Sequence, residues 1–200
     1  DLEIRGAGNL LGAQQHGHME AVGYDLYCKM LNEAVKHLKG EMEEEDYTTT
    51  IDLNIDAYIP DTYISNEYQK LDIYKRIAAI ESEEEMEDMV EELIDRFGDI
   101  PKKVEMLLTV AQLKALAHKV YVTAVEQKGD TYTFAMYERA KVCPEKIPAL
   151  LKEFRDDLAF KAEPPMFIYR KKRINKRDKT ESVLEVVKNV LIGIKGLLGS

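Results

Sequence analysis

The sequence is poor in cysteine, and its two cysteines, Cys28 and Cys143, are isolated, with no CxxC pair. This argues against a disulfide framework and is typical of a protein of the reducing cytosol. Long apolar runs are also lacking, because polar or charged residues interrupt the most apolar stretch, Val183 to Leu198, which is too short and too charged to span a bilayer. The N-terminus lacks the basic-then-apolar plan of a signal peptide. We therefore predict a soluble, cytoplasmic protein.

Motifs of common catalytic sites are absent as well. The sequence has no GxxxxGK[ST] phosphate-binding loop, so ATP hydrolysis is not expected in this chain. No Ser–His–Asp or Cys–His spacing stands out, and carboxylate pairs are too plentiful to indicate one site. His16 and His18 supply only two ligands from one loop, which is weak support for a metal site. We predict a chain that is not an enzyme and that holds no metal or cofactor of its own.

Charge is abundant but segregated. The formal net charge of −9 argues against the chain as a whole being a nucleic-acid binder. Ten acids against the single base Arg96 occupy Glu81 to Asp99, whereas seven bases against the single acid Asp178 occupy Arg170 to Lys179. Such asymmetry indicates an interaction surface only if the charges share one face; otherwise it is ordinary solvation.

Apolar periodicity predicts an α+β domain in which helices cover one side of a roughly five-stranded sheet. Asn66 with Gln69, and Ser82 with Glu85, have the spacing of capping boxes. Helices are predicted over 19–39, 66–80, 82–97, 101–118, a short run after 144, and 180–198. Strands are predicted over 51–59, 121–127, 131–137, 158–162 and 167–169.

The composition also predicts three regions along the chain. Residues 1–18 are glycine-punctuated, and residues 19–47 combine a helix with the acidic hinge EMEEED. Residues 48–200 then form the α+β domain, so the acidic hinge is the predicted domain boundary.

The glycine-punctuated segment reads DLEIRGAGNLLG and is followed by QQHG. Its spacing is GxGxxxG rather than the GxGxxG of dinucleotide-binding folds, and no βαβ pattern follows. The wording resembles the translocation motif of the RecG-type and Mfd-type DNA translocases. The motif residues carried over are Arg5, Gly6, Gly8, Gly12 and Gln15.

This resemblance implies a role in a larger machine. In such translocases the arginine and glutamine, here Arg5 and Gln15, are implicated in coupling ATP hydrolysis to movement on duplex DNA. ATP and magnesium are implied only for the motor domains, which this chain does not contain. The 200 residues are then expected to be the C-terminal part of a longer DNA-dependent ATPase.

A second resemblance covers more of the chain. YKRIA at 74–78 and ELIDRFG at 92–98, followed by Pro101, are similar to phrases of the C-terminal module of transcription-repair coupling factors. The resemblance implies an autoinhibitory module that docks on a UvrB-homology module of the same protein. While docked, it masks the surface that recruits UvrA, until the motor engages stalled RNA polymerase.

The acidic helix supplies a candidate surface for that docking. Its apolar residues recur at helical spacing, so the carboxylates project elsewhere. Glu92 and Asp95 lie at i, i+3 and are expected to sit side by side. Facing basic side chains of a partner, they would give a specific, salt-sensitive interface. The simpler interpretation is a solvated acidic face.

Two other interpretations stay open. The basic residues Arg170, Lys171, Lys172 and Arg173 start a run that can grip phosphate, with Phe167 and Tyr169 alongside for stacking. The simpler interpretation of that run is a charged loop before the last helix. The chain can also be an interaction domain for RNA polymerase. The location of the charges on which binding depends distinguishes two of these interpretations. A docking module should depend on acids near Glu92, whereas a nucleic-acid-contacting module that acts through 170–179 should depend on bases near Lys172.

Overall fold

The computed structural model describes residues 23–24, 27–31, 47–171 and 182–199. The chain divides into two compact units. Unit 1 comprises Asp1–Glu41 and Ile55–Ala115, and unit 2 comprises Met42–Asn54 and Leu116–Ser200. The predicted region 1–18 and most of 19–47 lie outside the described residues, so the three predicted regions stay a prediction.

Unit 1 is helical. Residues 27–31 form a helical stretch, followed along the chain by α1 (Glu67–Ala78) and α2 (Glu83–Phe97). The next helix, α3 (Lys102–Lys119), belongs to unit 1 up to residue 115.

The predicted caps explain where the first two helices begin. The Asn66 side chain accepts a hydrogen bond from the Gln69 N–H (3.0 Å), and the Ser82 hydroxyl accepts one from the Glu85 N–H (3.1 Å). Each satisfies an amide that has no partner within its helix. The Glu85 carboxylate accepts from the Glu81 N–H (3.1 Å). Both predicted capping residues are therefore confirmed.

Tyrosines organise the core of unit 1. Tyr27 is fully buried, its ring centroid lies 6.2 Å from that of Tyr74, and its hydroxyl donates to the Leu107 carbonyl (2.8 Å). Tyr74, on α1, accepts the Ile59 N–H at its hydroxyl oxygen (2.8 Å). Burial raises the pKa of Tyr74 to about 12, so this hydroxyl stays neutral while it holds the segment before α1.

The prediction of a strand over 51–59 is wrong for most of its length. Only Thr50–Asp52 forms a strand, although Leu53 and Ile59 are each just 2% exposed. Backbone donors beyond it bind side chains: the Asn54 N–H donates to the Gln127 side-chain oxygen (2.9 Å), and the Ile59 N–H to Tyr74. The alternation therefore reflects burial of an extended segment, which periodicity cannot distinguish from a paired strand.

Unit 2 contains a five-stranded sheet in the order β1-β2-β3-β5-β4. The β1 strand pairs in parallel with β2, whereas the remaining pairs are antiparallel. The strands are β1 (Thr50–Asp52), β2 (Val122–Lys128), β3 (Thr131–Met136), β4 (Leu158–Lys161) and β5 (Met166–Arg170). As predicted, β2 and β3 form a hairpin, and Gly129 occupies its turn with a φ of 59°, a conformation that glycine adopts without strain.

One face of the sheet is apolar and buried. Val125, Phe134 and Phe167 are paired in register across β2, β3 and β5, and all three are fully buried. Directly paired residues point to the same face of a sheet, so these side chains form a continuous apolar row. Residues one position away along each strand point to the opposite face.

Among the described residues of unit 2, the sheet is accompanied by α4 (Ile147–Glu153), which follows a 3-10 turn at Pro144–Lys146, and by α5 (Val183–Lys195). The α4 helix packs against β4. A Cβ atom at Gly193 of α5 would lie 2.6 Å from Leu150 of α4, so glycine lets these two helices approach closely. The mixed sheet with its helices confirms the predicted α+β fold class.

Lys114 is an unusual component of the unit 1 core. This α3 residue is only 4% exposed, and its ammonium group donates to the Leu31 carbonyl. Burial lowers its pKa to about 7, although Cys28 and Glu81 act in the opposite direction. The contact connects the helical stretch 27–31 to α3 while placing an ionisable group in the core.

This placement predicts a pH dependence of stability. Above about pH 7 the folded chain releases the Lys114 proton while the unfolded chain keeps it, so the free energy of unfolding should rise toward alkaline pH. The slope is up to about 1.4 kcal/mol per pH unit. Lys114→Met should lack this rise in the free energy of unfolding with pH, as measured by urea unfolding at several pH values. Lys75→Met, at an exposed position of α1, is the control; equal slopes in Lys114→Met and the parent chain would contradict the prediction.

Candidate protein interface

The acidic helix α2 positions both predicted interface residues near its C-terminus. The buried residues of α2 are Met86, Met89 and Leu93. Because these residues share one side of the helix, the acidic side chains on its other sides face solvent. Glu92 is partly exposed, and Asp95 is exposed. The helix ends at Gly98, whose φ is 89° and whose N–H donates to the Ile94 carbonyl (3.0 Å).

Glu92 is held by two arginines of the same chain. Arg76 of α1 forks onto it, with Nη2 lying 2.6 Å from Oε1 and Nη1 bonded to Oε2. Arg96, one turn further along α2, places Nη1 2.9 Å from Oε2. The carboxylate therefore accepts three charge-assisted hydrogen bonds, an arrangement that is stronger than neutral pairing.

Electrostatics follow from this geometry. Chiefly through the hydrogen bond from Arg76, and also through Arg96, the pKa of Glu92 is lowered to about 2. The same bond raises the pKa of Arg76. Glu92 is thus ionised at neutral pH, and two cations surround one anion. We name Arg76, Glu92 and Arg96 the arginine–glutamate triad; its formal charge is +1, because it has two guanidinium groups and one carboxylate.

An aromatic contact supports the triad from the end of α2. The Arg96 guanidinium lies 4.8 Å from the centre of the Phe97 ring, and Phe97 lies 5.7 Å from the ring of Tyr63. The Tyr63 hydroxyl is within hydrogen-bond distance of the Leu93 carbonyl (3.1 Å) and the Gly98 carbonyl (3.0 Å). Ring and hydroxyl together tie the helix end to the segment before α1.

The sequence alone did not reveal the triad. Arg96 follows Glu92 at i, i+4, a spacing that favours an ion pair and is readable from the sequence. Arg76 lies 16 residues away on another helix, and periodicity within α2 gives no sign of it. The two phrases YKRIA and ELIDRFG, which carried the family resemblance, are thus joined by the contact between Arg76 and Glu92.

Four of the exposed acids of α2 lie in a stripe along one face of the helix. Helical rotation of about 100° per residue places positions i, i+4, i+7 and i+11 on one face. Four exposed carboxylates have this spacing, and we name them the acidic stripe: Glu84, Asp88, Glu91 and Asp95. Asp95 therefore belongs to an acidic surface, whereas Glu92 lies at its flank within the triad.

The other predicted site residues are less fully defined. Arg5, Gly6, Gly8, Gly12 and Gln15 of the translocation motif lie outside the described residues. So do Lys172 and Arg173 of the basic run. Arg170, by contrast, is exposed at the end of β5, and Lys171 is partly exposed.

Arg170 shares a row of the sheet with a second base. Thr131 of β3 pairs with Lys128 of β2 on one side and with Arg170 of β5 on the other. Because directly paired residues point to the same face, the two cations flank the Thr131 hydroxyl. Lys128 therefore belongs to this basic region, although it lies far from Arg170 in the sequence.

Two features are absent from the described residues. Within them, no group of three or more His, Cys, Asp and Glu side chains is arranged to hold a metal ion. Across the same ranges, no helix combines the length and apolarity needed to cross a membrane.

Comparison with known proteins identifies the family. The profile of the TRCF domain matches residues 53–147. The transcription-repair-coupling factor of Bacillus subtilis is 40% identical over 200 residues, covering 98% of this chain, and that of Staphylococcus haemolyticus is 46% identical over 142 residues, covering 70%. The chain belongs to the transcription-repair-coupling factor family.

A solved structure agrees with this assignment. The crystal structure of a C-terminal domain of a transcription-repair coupling factor matches with a TM-score of 0.55 and 27% identity, covering 76% of this chain and 92% of that one. The chain spans 17% of the Bacillus subtilis relative and 12% of the Staphylococcus haemolyticus one. It is therefore a C-terminal domain of this family.

The lowered pKa of Glu92 predicts how the triad contributes to stability. Relative to Glu92→Gln, the parent chain should be more stable at about pH 7, by about 1 kcal/mol, because solvent screens a partly exposed pair. The advantage is present above the ordinary pKa of 4.5 and is lost as pH falls toward the folded value of about 2. Urea unfolding at about pH 7 and about pH 3 measures it.

Glu87→Gln, at an exposed position of the same helix, is the matched control. A stability difference between Glu92→Gln and the parent chain that persists unchanged at the lower pH would contradict the prediction.

Proposed function

We propose that this chain is the autoinhibitory module of a transcription-repair coupling factor. In this proposal it docks on the UvrB-homology module of the same protein and masks the surface that recruits UvrA. RNA polymerase and duplex DNA are partners of the longer protein, and the masking ends when its motor engages stalled polymerase. The module itself performs no catalysis.

The observation that carries this proposal is the surface of α2. Its acidic stripe is exposed along the helix, while the buried residues Met86, Met89 and Leu93 anchor the opposite side. A rigid row of carboxylates steers and selects a basic partner surface. Exposed charge is screened by salt, so the contact can be specific in the docked state and still reversible.

The N-terminal segment has a separate proposed role. By family resemblance, Arg5 and Gln15 contribute to coupling ATP hydrolysis with DNA translocation in the longer protein. Since the motor domains bind ATP and magnesium in that proposal, the segment acts only when it is attached to them.

Titration of this chain with the isolated UvrB-homology module tests the docking proposal. We expect saturable binding that is tighter at low salt than at physiological salt. Glu92→Ala plus Asp95→Ala should weaken it at least about tenfold, since charged pairs at an interface each contribute on the order of 1 kcal/mol or more. Fluorescence anisotropy or calorimetry measures the dissociation constant.

The matched control removes two other acids of the same helix. Glu83→Ala plus Glu87→Ala deletes the same charge from exposed positions that lie about 140° or more around the helix from Glu92. This variant should bind within about twofold of the parent chain. Absence of binding up to about a millimolar, or equal loss in both double variants, would count against docking through Glu92 and Asp95.

A second candidate function is favoured by one specific observation. Lys128 and Arg170 lie in one row of the sheet on either side of Thr131, and Lys171 follows directly. Two cations and a hydroxyl on one face suit a phosphate backbone. In this alternative the chain contacts nucleic acid through Arg170, Lys171, Lys172 and Arg173.

Charge reversal separates this alternative from the first proposal. If the basic run binds duplex DNA, Lys171→Glu plus Lys172→Glu should abolish most of the affinity and reduce its salt dependence. Lys188→Glu plus Lys195→Glu, at exposed positions of α5, is the matched control. Unchanged DNA affinity in the first variant, measured by anisotropy, would remove the support for this alternative.

A further inference from the structure

The side chain that orients Glu92 does not belong to its own helix. Arg76 projects from α1, and its guanidinium contacts both carboxylate oxygens, at 2.6 Å for the Nη2–Oε1 pair. A fork of two parallel hydrogen bonds fixes the plane of a carboxylate as well as its position. Arg96 alone donates a single bond, from Nη1 to Oε2, and leaves that plane free to rotate.

Arg76 is itself well supported. Its neighbours Ile73 and Ile77 are fully buried, so α1 cannot rotate without exposing apolar surface. Asp72, one turn earlier, places a carboxylate oxygen 3.9 Å from the Arg76 Nη1. The Arg76 side chain therefore starts from a helix whose position is fixed, and its guanidinium lies between the carboxylates of Asp72 and Glu92.

Glu92 retains capacity for another donor. An ionised carboxylate has about four acceptor positions, and the triad occupies three of them, two on Oε2 and one on Oε1. The Glu92 side chain is 32% exposed. A donor arriving from solvent can thus bind Oε1 without displacing either arginine.

We propose that Arg76 is a positioning residue for the docking surface: it holds the Glu92 carboxylate in the orientation in which Oε1 meets a basic side chain of the partner. This inference rests on the proposed docking function and adds a residue to it. Arg76 acts through Glu92. If the long Glu92 side chain is already ordered before docking, its loss of conformational entropy no longer opposes the docking step.

The direction in which docking affinity changes when Arg76 is removed distinguishes positioning of Glu92 from electrostatic repulsion of a basic partner. Arg76 is a cation beside a surface proposed to bind cations, so electrostatic repulsion alone predicts tighter docking when it is removed. Positioning predicts the opposite, since Glu92 would then sample several rotamers. A loss of affinity on removing a positive charge is therefore evidence for the fork and not for simple charge.

A double-mutant cycle tests the proposal against the isolated UvrB-homology module. Arg76→Ala should weaken docking about tenfold, whereas in a Glu92→Ala background it should have no further effect. Arg76→Lys keeps the charge but not the fork, so it should weaken docking nearly as much as Arg76→Ala. Lys75→Ala removes the neighbouring exposed cation and should leave affinity within about twofold.

Asp95→Ala is a further control. Because Asp95 is outside the triad, the loss of docking free energy caused by Asp95→Ala should add to the loss caused by Arg76→Ala. Circular dichroism and thermal unfolding of each variant establish that it is folded at the titration temperature; if Arg76→Ala is unfolded, Arg76→Lys takes its place in the cycle. Positioning is supported if Arg76→Ala is folded and lowers the docking affinity when Glu92 is present but causes no further loss in the Glu92→Ala background.

The outcomes separate this inference from the function on which it rests. If the parent chain does not bind the module, the proposed function fails and the inference fails with it. If the parent chain binds but Arg76→Ala or Arg76→Lys binds equally well or more tightly, the inference alone is overturned. An equal loss from Arg76→Ala with and without Glu92 also overturns it.

Discussion

Burial of one side of α1 is the constraint on which the rest of unit 1 depends. Ile73, Tyr74 and Ile77 are at most 1% exposed, and together they remove a large apolar area from water, which is the dominant stabilising term in folding. Once that side is buried, Arg76 has one direction in which to project. The position of the Glu92 carboxylate on the next helix follows from it.

The triad changes how the acidic helix is to be understood. Within a surface that seems uniformly acidic in the sequence, Arg76 and Arg96 share the carboxylate of Glu92, and Asp72 lies beside Arg76. Exposed carboxylates lie along the acidic stripe and also at Glu83, Glu85 and Glu87. A partner that approaches α2 therefore meets a row of carboxylates bordered by two guanidinium groups, which is a more selective pattern than negative charge alone.

The two units differ in how they carry their candidate sites. In unit 1 the charged groups come from α1 and α2 and are linked by side-chain hydrogen bonds. In unit 2 the cations Lys128 and Arg170 are aligned by strand register, which backbone pairing determines. The first arrangement depends on individual side chains, and so single substitutions are informative there; the second depends on the sheet.

Much of the local structure could be predicted from the sequence. Asn66, Ser82 and Gly98 marked helix ends because side-chain caps and a glycine at positive φ act over three or four residues. The β2–β3 hairpin was readable for the same reason, since its turn residues are adjacent. Family membership was also predicted from short, specific sequence motifs, and comparison with known relatives confirmed it.

Contacts between distant segments could not be predicted from the sequence, because they depend on how the elements pack. Alternation of apolar residues predicted a long strand, but Ile59 gives its N–H to Tyr74, 15 residues away, and a side-chain acceptor leaves no trace in the local pattern. Arg76 and Glu92 meet for a similar reason: burial on each helix brings their flanks together. Hydrophobic periodicity fixes which face of a helix is buried, whereas the partner of each polar side chain depends on how the helices pack.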